Sequence, residues 1–220
     1  GNFNYFFPQL VVAESGLPAG KQARIYELIA REMTKLHLGQ GLDLYWSQEG
    51  KYDIPLGDYL QMSAYKTGAL LNIAVKLGAI LADANEEVLE KLEEMAVAMG
   101  VAFQIQDDIL NLKPTREWGK DSGEDITEGK ITYMVVDTLR QADNQDKNRL
   151  QEVLQAKTKD KDEISEAIDI MDKYQAFGQA RDYSKYLVKD AKGKVGEILP
   201  DTDYKRIFLE IMDLLIKRQK

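Results

Sequence analysis

The chain has 220 residues, of which 44% are hydrophobic and 30% charged, and its 29 Lys and Arg against 37 Asp and Glu give a formal net charge of −8. This composition is that of a globular domain, so it excludes a disordered or collagen-like chain and argues against a nucleic-acid-binding protein, which needs a basic surface. With no cysteine and one histidine, thiolate and multi-histidine metal sites are excluded, and any metal must take oxygen ligands, as Mg²⁺ does. No apolar run reaches the roughly 18 residues of a membrane span, so a cytoplasmic location is expected.

Apolar residues at helical spacing begin early in the chain. A first helix is predicted over 21–46, and a second over 56–81 is apolar on almost every side, which indicates a buried, central position. Asp83, with Glu86 three residues later, has the spacing of a capping box and is predicted to begin a third helix that runs to about Leu112.

A charged segment with several glycines, at 113–130, interrupts this pattern and is predicted to be a loop, which at this length is usually functional or mobile. Helical spacing with polar opposite faces returns in five stretches, at 131–141, 147–157, 161–177, 180–199 and 204–217. Since no stretch alternates between apolar and polar residues with a period of two, the predicted fold class is all-α, with long central helices and shorter amphipathic helices packed outside them.

The most informative feature is a polar stripe on the third helix. It consists of Gln104, Asp107, Asp108 and Asn111, which share one helical face while the other faces are apolar. Two adjacent carboxylates in apolar surroundings repel each other and lose hydration, and a divalent cation removes both penalties. The alternative is a solvated pair near the helix C-terminus, although the helix dipole disfavours negative charge there.

A cation, a hydroxyl and a flexible residue, Lys66, Thr67 and Gly68, lie in the middle of the most apolar helix. A buried lysine needs an accompanying anion to keep its proton. A glycine inside a helix costs about 1 kcal/mol relative to alanine, so Gly68 indicates either a local break or close helix packing. The other interpretation of Lys66 is that its stem follows the surface and its charge stays in water.

Two segments with paired glycines carry weaker signals. The glycines of 119–130 are flanked by Lys120 and Lys130, a combination that suits a phosphate, although for this segment alone a solvated, mobile loop is the favoured explanation. In the Gly-Gln-Gly-Leu-Asp segment, Gln40 and Asp43 lie one helical turn apart, and the glycines permit close approach of a neighbouring helix. Together the signals combine oxygen ligands, lysines and apolar walls, which suits a diphosphate bound beside a hydrocarbon.

At these residues the sequence resembles the trans-isoprenyl diphosphate synthases, which make geranyl, farnesyl and geranylgeranyl diphosphates. The motifs that carry the resemblance stand in the family's order and approximate spacing: GQGLDLYW at 39–46, KTG at 66–68, FQIQDD at 103–108 and EDITEGK at 124–130. Their wording is most similar to geranylgeranyl diphosphate synthases. The resemblance implies an isoprenoid-synthase-type helical bundle with a central cavity, in which 1–220 is a single domain and the C-terminal portion of the catalytic domain.

The resemblance also implies which residues bind metal. Asp107 and Asp108 belong to the family's second aspartate-rich motif and are expected to bind Mg²⁺, directly or through water. The last position of that motif is usually Asp, but here it is the neutral and weaker ligand Asn111. Asp43 is expected to support the metal and diphosphate from behind.

Substrate-binding and catalytic groups are carried over in the same way. The residues expected to bind the allylic diphosphate are Lys66, Lys120, Lys130 and Gln40. The residues expected to act in catalysis are Lys66, Thr67 and Gln104, of which the last two stabilise the allylic cation in the family.

The implied activity is Mg²⁺-dependent head-to-tail prenyl transfer, which condenses isopentenyl diphosphate with an allylic diphosphate to give geranylgeranyl or farnesyl diphosphate. The family's first aspartate-rich motif, and its basic residues for isopentenyl diphosphate, lie upstream of where this chain begins. The chain alone is therefore expected to hold half an active site and to be inactive. Its expected partner is a second copy in a homodimer, or a second polypeptide that supplies the first motif.

Two alternatives remain open at this point. In the first alternative, the chain is a non-catalytic or complementing subunit of a split or heteromeric synthase, although an inactive protein has no need to keep buried charges. In the second, it is a terpene cyclase, which needs the same metal and diphosphate chemistry on a similar fold but does not consume isopentenyl diphosphate.

Overall fold

The structure is a computed structural model that describes residues 3–113 and 123–216. Those residues form α-helices and one short π-helix without any strand, which confirms the predicted all-α fold class for the described part of the chain. None of the helices within these ranges has the length and apolar character needed to cross a bilayer. In chain order the helices are α1 (Phe3–Glu14), α2 (Ala19–Glu49), α3 (Leu56–Ser63), the π-helix (Ala64–Gly68), α4 (Ala69–Leu81), α5 (Glu86–Leu112), α6 (Glu124–Thr127), α7 (Tyr133–Gln141), α8 (Asn144–Ala156), α9 (Lys161–Lys173), α10 (Ala176–Ile198) and α11 (Asp203–Ile216).

Glycines allow α2, the π-helix and α5 to approach backbone to backbone. A Cβ atom on Gly39 of α2 would lie 2.5 Å from the backbone nitrogen of Lys66. A Cβ atom on Gly100 of α5 would lie 2.3 Å from the Cα atom of Gly68. No side chain fits at either position without movement of the neighbouring backbone, so the π-helix is held between two long helices. Gly68 therefore serves both the local break and the close packing that the sequence indicates.

Buried apolar clusters hold α5 along its whole length. Its N-terminal half contributes Leu92 and Met99 to a cluster with α2, α4 and α11, and its C-terminal half contributes Ile105 and Leu112 to a cluster with α7, α8, α9 and α10. Burial of each such side chain stabilises the fold by about 1.5–3 kcal/mol. The polar stripe of α5 thus projects from a rigid helix.

The start of α5 differs from the prediction, because Asn85 rather than Asp83 is the N-cap. The Asn85 side chain accepts a hydrogen bond from the backbone N–H of Val88 at 2.9 Å. Asp83 lies in the preceding turn with a left-handed backbone, φ 56°, and pairs with Lys21 of α2 at 2.8 Å. Both residues are good cap formers, and the ion pair with α2 decides between them.

The boundary between the helices predicted at 161–177 and 180–199 is also displaced. The chain turns at Gln175, which has a left-handed backbone with φ 58°, and Gly178 lies inside α10. The Tyr174 hydroxyl donates to Asp146 of α8 at 2.9 Å. This contact with another helix fixes the turn a few residues before the predicted boundary.

Candidate functional site

A cavity of about 120 Å³ lies where α2, α3, the π-helix, α5 and α6 converge. Each of the four sequence motifs contributes at least one residue to it, and its charged groups are four carboxylates and two lysines. The lining residues are Asp43, Tyr59, Met62, Lys66, Gln104, Asp107, Asp108, Asp125, Lys130, Ile131 and Thr132. Segments that are distant in the sequence therefore meet in one small polar chamber.

The π-helix presents Lys66 and Thr67 to the long helices on either side of it. The Lys66 ammonium donates to the buried Asp43 carboxylate of α2 at 2.7 Å. The Thr67 hydroxyl donates to Oε1 of Gln104 on α5 at 2.8 Å. A single π-helical turn inside an α-helix is frequent at functional sites. The local break that Gly68 indicates is this turn, and Lys66 has the anion that a half-buried lysine requires.

Asp108 is the most enclosed acid of the cavity, with 4% of its surface exposed. Its Oδ2 accepts hydrogen bonds from the Tyr59 hydroxyl at 2.7 Å and from the Tyr133 backbone N–H at 3.1 Å, and its Oδ1 accepts one from Gln104 at 2.9 Å. Burial, together with the nearby charge of Asp125, raises the pKa of Asp108 to about 7, and these hydrogen bonds oppose the shift. Both carboxylate oxygens are thus already engaged.

Asp125 and Lys130 form the opposite wall of the cavity. The Lys130 ammonium contacts Asp125 at 3.0 Å and Glu128 at 2.7 Å. Burial raises the pKa of Asp125, and the ammonium only partly offsets this effect. Burial alone would lower the pKa of Lys130, but the charges of Asp125 and Glu128 outweigh it and raise that pKa. Lys130 is therefore a permanently charged donor at the cavity.

Asn111 fastens the short helix α6 to the end of α5. Its side-chain oxygen accepts the backbone N–H of Asp125 at 2.8 Å, and its carbonyl oxygen accepts the N–H of Gly123 at 3.0 Å. Gly123 has φ 86°, a backbone that favours glycine. The residue that departs from the aspartate-rich motif therefore positions another acid of the cavity.

The remaining predicted site residues lie in different environments. Asp107 is exposed on the cavity side of α5, in contrast to its buried neighbour Asp108. Gln40 is partly buried on α2 but is not among the described residues that line the cavity. Lys120 lies in 114–122, outside the residues that the structure describes.

The donor set fits a hard cation that brings some of its own ligands. Within 3–113 and 123–216, no group of three or more His, Cys, Asp or Glu side chains is arranged to hold a metal by itself. Mg²⁺ is commonly bound by one or two carboxylates, with water and phosphate oxygens completing its shell. A cation would also relieve the penalty that burial imposes on Asp108 and Asp125. The residues present therefore fit Mg²⁺ that arrives with a phosphorylated ligand.

A second cavity, of about 850 Å³, is almost entirely apolar and lies between α1, α2 and α4. Its lining residues are Tyr5, Phe7, Pro8, Val11, Val12, Ile29, Met33, Leu70, Ile73 and Leu77. Leu70 follows Lys66 by four residues on the same helical run, so the apolar cavity begins about one turn from the polar one. A polar chamber and an apolar one thus share a helix.

Comparison with known proteins decides the family. The polyprenyl synthetase family model matches residues 1–171. The chain belongs to the polyprenyl synthetase family. This membership confirms the resemblance to the trans-isoprenyl diphosphate synthases that the motifs indicate.

Three relatives show the extent of the similarity. The short chain isoprenyl diphosphate synthase of Methanocaldococcus jannaschii is 39% identical over 69% of this chain and 46% of its own length. The geranylgeranyl diphosphate synthase of Sulfolobus acidocaldarius is 30% identical over 97% of this chain and 64% of its own length. The crystal structure of geranylgeranyl pyrophosphate synthetase from Pyrococcus horikoshii superposes with a TM-score of 0.85 at 32% identity, over 94% of this chain and 62% of the other. The chain therefore spans less than two thirds of the length of these relatives.

Two residues of this polyprenyl synthetase site, and one that packs beside it, have no assigned role in the sequence interpretation. Asp125 stands inside a quoted motif, where Glu124 beside it and Glu128 three residues later make it look like one of several solvated acids. Tyr59 reads as an ordinary core aromatic, because its partner Asp108 is 49 residues away. Gly100 could have been found from its place in the apolar middle of α5, at 95–103, as Gly68 was.

Proposed function

We propose that this chain supplies the allylic-diphosphate part of an active site for head-to-tail prenyl transfer. In that reaction isopentenyl diphosphate condenses with an allylic diphosphate to give a short-chain trans-prenyl diphosphate, geranylgeranyl or farnesyl. The observation that carries the proposal is the charge of the polar cavity. Its four carboxylates exceed its two lysines by two, so with all six ionised a diphosphate would be repelled unless divalent cations entered with it.

Asp107 is the side chain proposed to bind Mg²⁺ directly, because it is the exposed acid of the cavity. Asp108 and Asp125 stand behind Asp107, and their negative charge attracts the cation. When bound, Mg²⁺ supplies Lewis-acid stabilisation of the negative charge that develops on the departing pyrophosphate.

The lysines are proposed to hold the diphosphate from the other side. Lys66 pairs with one carboxylate and Lys130 with two, and an ammonium has three donors, so each lysine keeps at least one donor for a phosphate oxygen. Their positive charge stabilises the leaving group as the carbon–oxygen bond breaks. Lys120 and Gln40 are proposed as further diphosphate ligands.

Thr67 and Gln104 are proposed to stabilise the allylic cation with their oxygen atoms. Thr67 follows Lys66 in the sequence, and Gln104 lies on the neighbouring helix α5. Both are therefore beside the lysine proposed to bind the diphosphate, next to the bond that breaks. The double bond of isopentenyl diphosphate then forms the new carbon–carbon bond, and a proton is lost to the pyrophosphate. The apolar cavity beside Leu70 is proposed to hold the growing hydrocarbon, and its volume lies within the usual range of ligand pockets, about 300–1,000 Å³.

The rest of the site is proposed to come from outside this chain's own polar cavity. We propose that 1–220 is the C-terminal portion of a single catalytic domain, and that the chain forms a homodimer or associates with a second polypeptide that supplies the first aspartate-rich motif. Cytoplasmic location stays a prediction.

A thermal shift with pyrophosphate tests the binding half of the proposal. Pyrophosphate at about a hundred times its Kd, with Mg²⁺ present, is expected to stabilise the purified protein by about 2.7 kcal/mol and to raise Tm by about 5–10 °C. The shift should vanish with EDTA and shrink in Lys130→Met. It should be unchanged in Lys185→Met, since Lys185 is exposed on α10. An equal shift without Mg²⁺, or none with it, would contradict the proposal.

A further inference from the structure

Four side chains beside the polar cavity form one unbroken chain of hydrogen bonds. The chain runs from Thr67 on the π-helix to Gln104 and Asp108 on α5 and ends at Tyr59 on α3, with successive distances of 2.8, 2.9 and 2.7 Å. Tyr59 is 1% exposed and Asp108 is 4% exposed, so water has little access to the buried end. The end at Thr67 is the one proposed to face the allylic cation.

The direction of each of these hydrogen bonds follows from the groups that can only donate. The backbone N–H of Tyr133 can only donate, and it points at Oδ2 of Asp108 at 3.1 Å. The amide nitrogen of Gln104 can only donate, and it lies 2.9 Å from Oδ1 of Asp108, which accepts from it. The Gln104 carbonyl oxygen then points at Thr67, whose hydroxyl hydrogen is committed to it. Only lone pairs remain on the Thr67 oxygen for any further partner.

We infer that Asp108 and Tyr59 are positioning residues that set the direction of these hydrogen bonds, so that Thr67 and Gln104 present oxygen rather than hydrogen toward the allylic cation. The inference rests on the proposed prenyl transfer. It gives Asp108 a different task from its neighbour Asp107, which has free access to the cavity. Tyr59 holds Asp108 through the same oxygen that accepts the Tyr133 N–H, and so fixes which oxygen is left for Gln104.

Substitution of Asp108 by asparagine keeps the shape of the side chain but reverses the direction of these hydrogen bonds. The carbonyl oxygen of the new side chain must face the Tyr133 N–H, so its NH₂ faces Gln104. The Gln104 amide then flips and places its own NH₂ beside Thr67, where the oxygen stood. A partial positive charge next to the allylic cation is expected to lower kcat about 10- to 100-fold.

The magnesium requirement separates positioning from direct ligation. For Asp108→Asn we expect the Mg²⁺ concentration at half-maximal rate to stay within about twofold of the parent value, whereas Asp107→Asn raises it about tenfold or more. A double-mutant cycle adds a second criterion. If Asp108 acts through Thr67, Asp108→Asn costs less than about threefold in a Thr67→Val background. A raised Mg²⁺ requirement, or effects that multiply, would overturn the inference.

Tyr59→Phe tests the anchor with a matched control. It removes one hydroxyl and keeps the ring, and we expect kcat to fall about tenfold with KM for the allylic substrate little changed. Tyr52→Phe is the control, because the buried Tyr52 hydroxyl has no hydrogen-bond partner among the described residues. Equal rates for Tyr59→Phe and the parent would exclude an anchoring role.

A spectroscopic measurement keeps the inference testable independently of turnover. In the ligand-free protein, the side-chain amide protons of Gln104, assigned with Gln104→Glu, should shift in Asp108→Asn and in Tyr59→Phe but not in Tyr52→Phe. Unchanged Gln104 resonances in Asp108→Asn would overturn the inference. If the variants show these shifts but the parent protein transfers no prenyl group, the proposed function alone would be contradicted.

Discussion

Asp107→Ala is expected to lower the rate of prenyl transfer by the complete protein on the order of 10²–10³-fold. Asp107 is the exposed acid of a cavity whose other acids are buried or paired, so its loss removes the carboxylate with open access to Mg²⁺. The measurement is steady-state product formation over a range of Mg²⁺ concentrations. Excess Mg²⁺ should restore part of the rate, since phosphate oxygens and water still offer ligands.

Asp182→Ala is the matched control for this prediction. Asp182 is exposed on α10 and makes only a loose 3.7 Å pair with Lys185, a kind of contact that contributes little. Its replacement should leave the rate unchanged. Turnover by Asp107→Ala close to that of the control would remove Asp107 from the metal site.

Gly100→Ala is expected to destabilise the protein by about 3 kcal/mol and to lower Tm by about 6–12 °C. The new Cβ atom would lie 2.3 Å from the Cα and 2.5 Å from the nitrogen of Gly68, so α5 and the π-helix must separate. That separation also pulls Thr67 away from Gln104, and prenyl transfer should fall with stability. Thermal denaturation monitored by circular dichroism gives the first quantity.

Gly178→Ala is the control for this prediction, because the same substitution is expected there to have the opposite effect on stability. Gly178 is inside α10, and no described atom outside its own helix backbone lies within 4 Å of the position a Cβ would take. Alanine there should stabilise the protein by about 0.5–1 kcal/mol, because glycine loses more backbone entropy on folding. A Gly100→Ala protein as stable as the parent would show that the two helices do not need this contact.

The sequence predicts those parts of the site that depend on spacing along one helix. Gln104, Asp107 and Asp108 lie on one stripe of α5, as a period of 3.6 requires. The break at Gly68 is likewise a local property, since it reflects a poor helix former in an apolar helix. Family resemblance adds the order of the motifs, which brings Asp43, Lys66 and Lys130 to the same region.

Contacts between distant segments account for what the sequence misses. Asp107 and Asp108 are indistinguishable in the sequence. Only the packing of Tyr59 and Tyr133 makes Asp108 buried and leaves Asp107 open. The displaced boundaries have the same origin, because Asn85 becomes the N-cap when Asp83 pairs with Lys21 of another helix. Such choices between near-equal local options are made by tertiary structure.

Incubation of the complete protein with labelled isopentenyl diphosphate, an allylic diphosphate and Mg²⁺ tests the central claim most directly. We predict that label enters a longer prenyl diphosphate, in equal amount to the pyrophosphate released, and that neither forms without Mg²⁺. Release of pyrophosphate from the allylic substrate with no label incorporated would indicate cyclase chemistry and contradict the account. Tight Mg²⁺-dependent pyrophosphate binding without any turnover would contradict it in favour of a non-catalytic subunit.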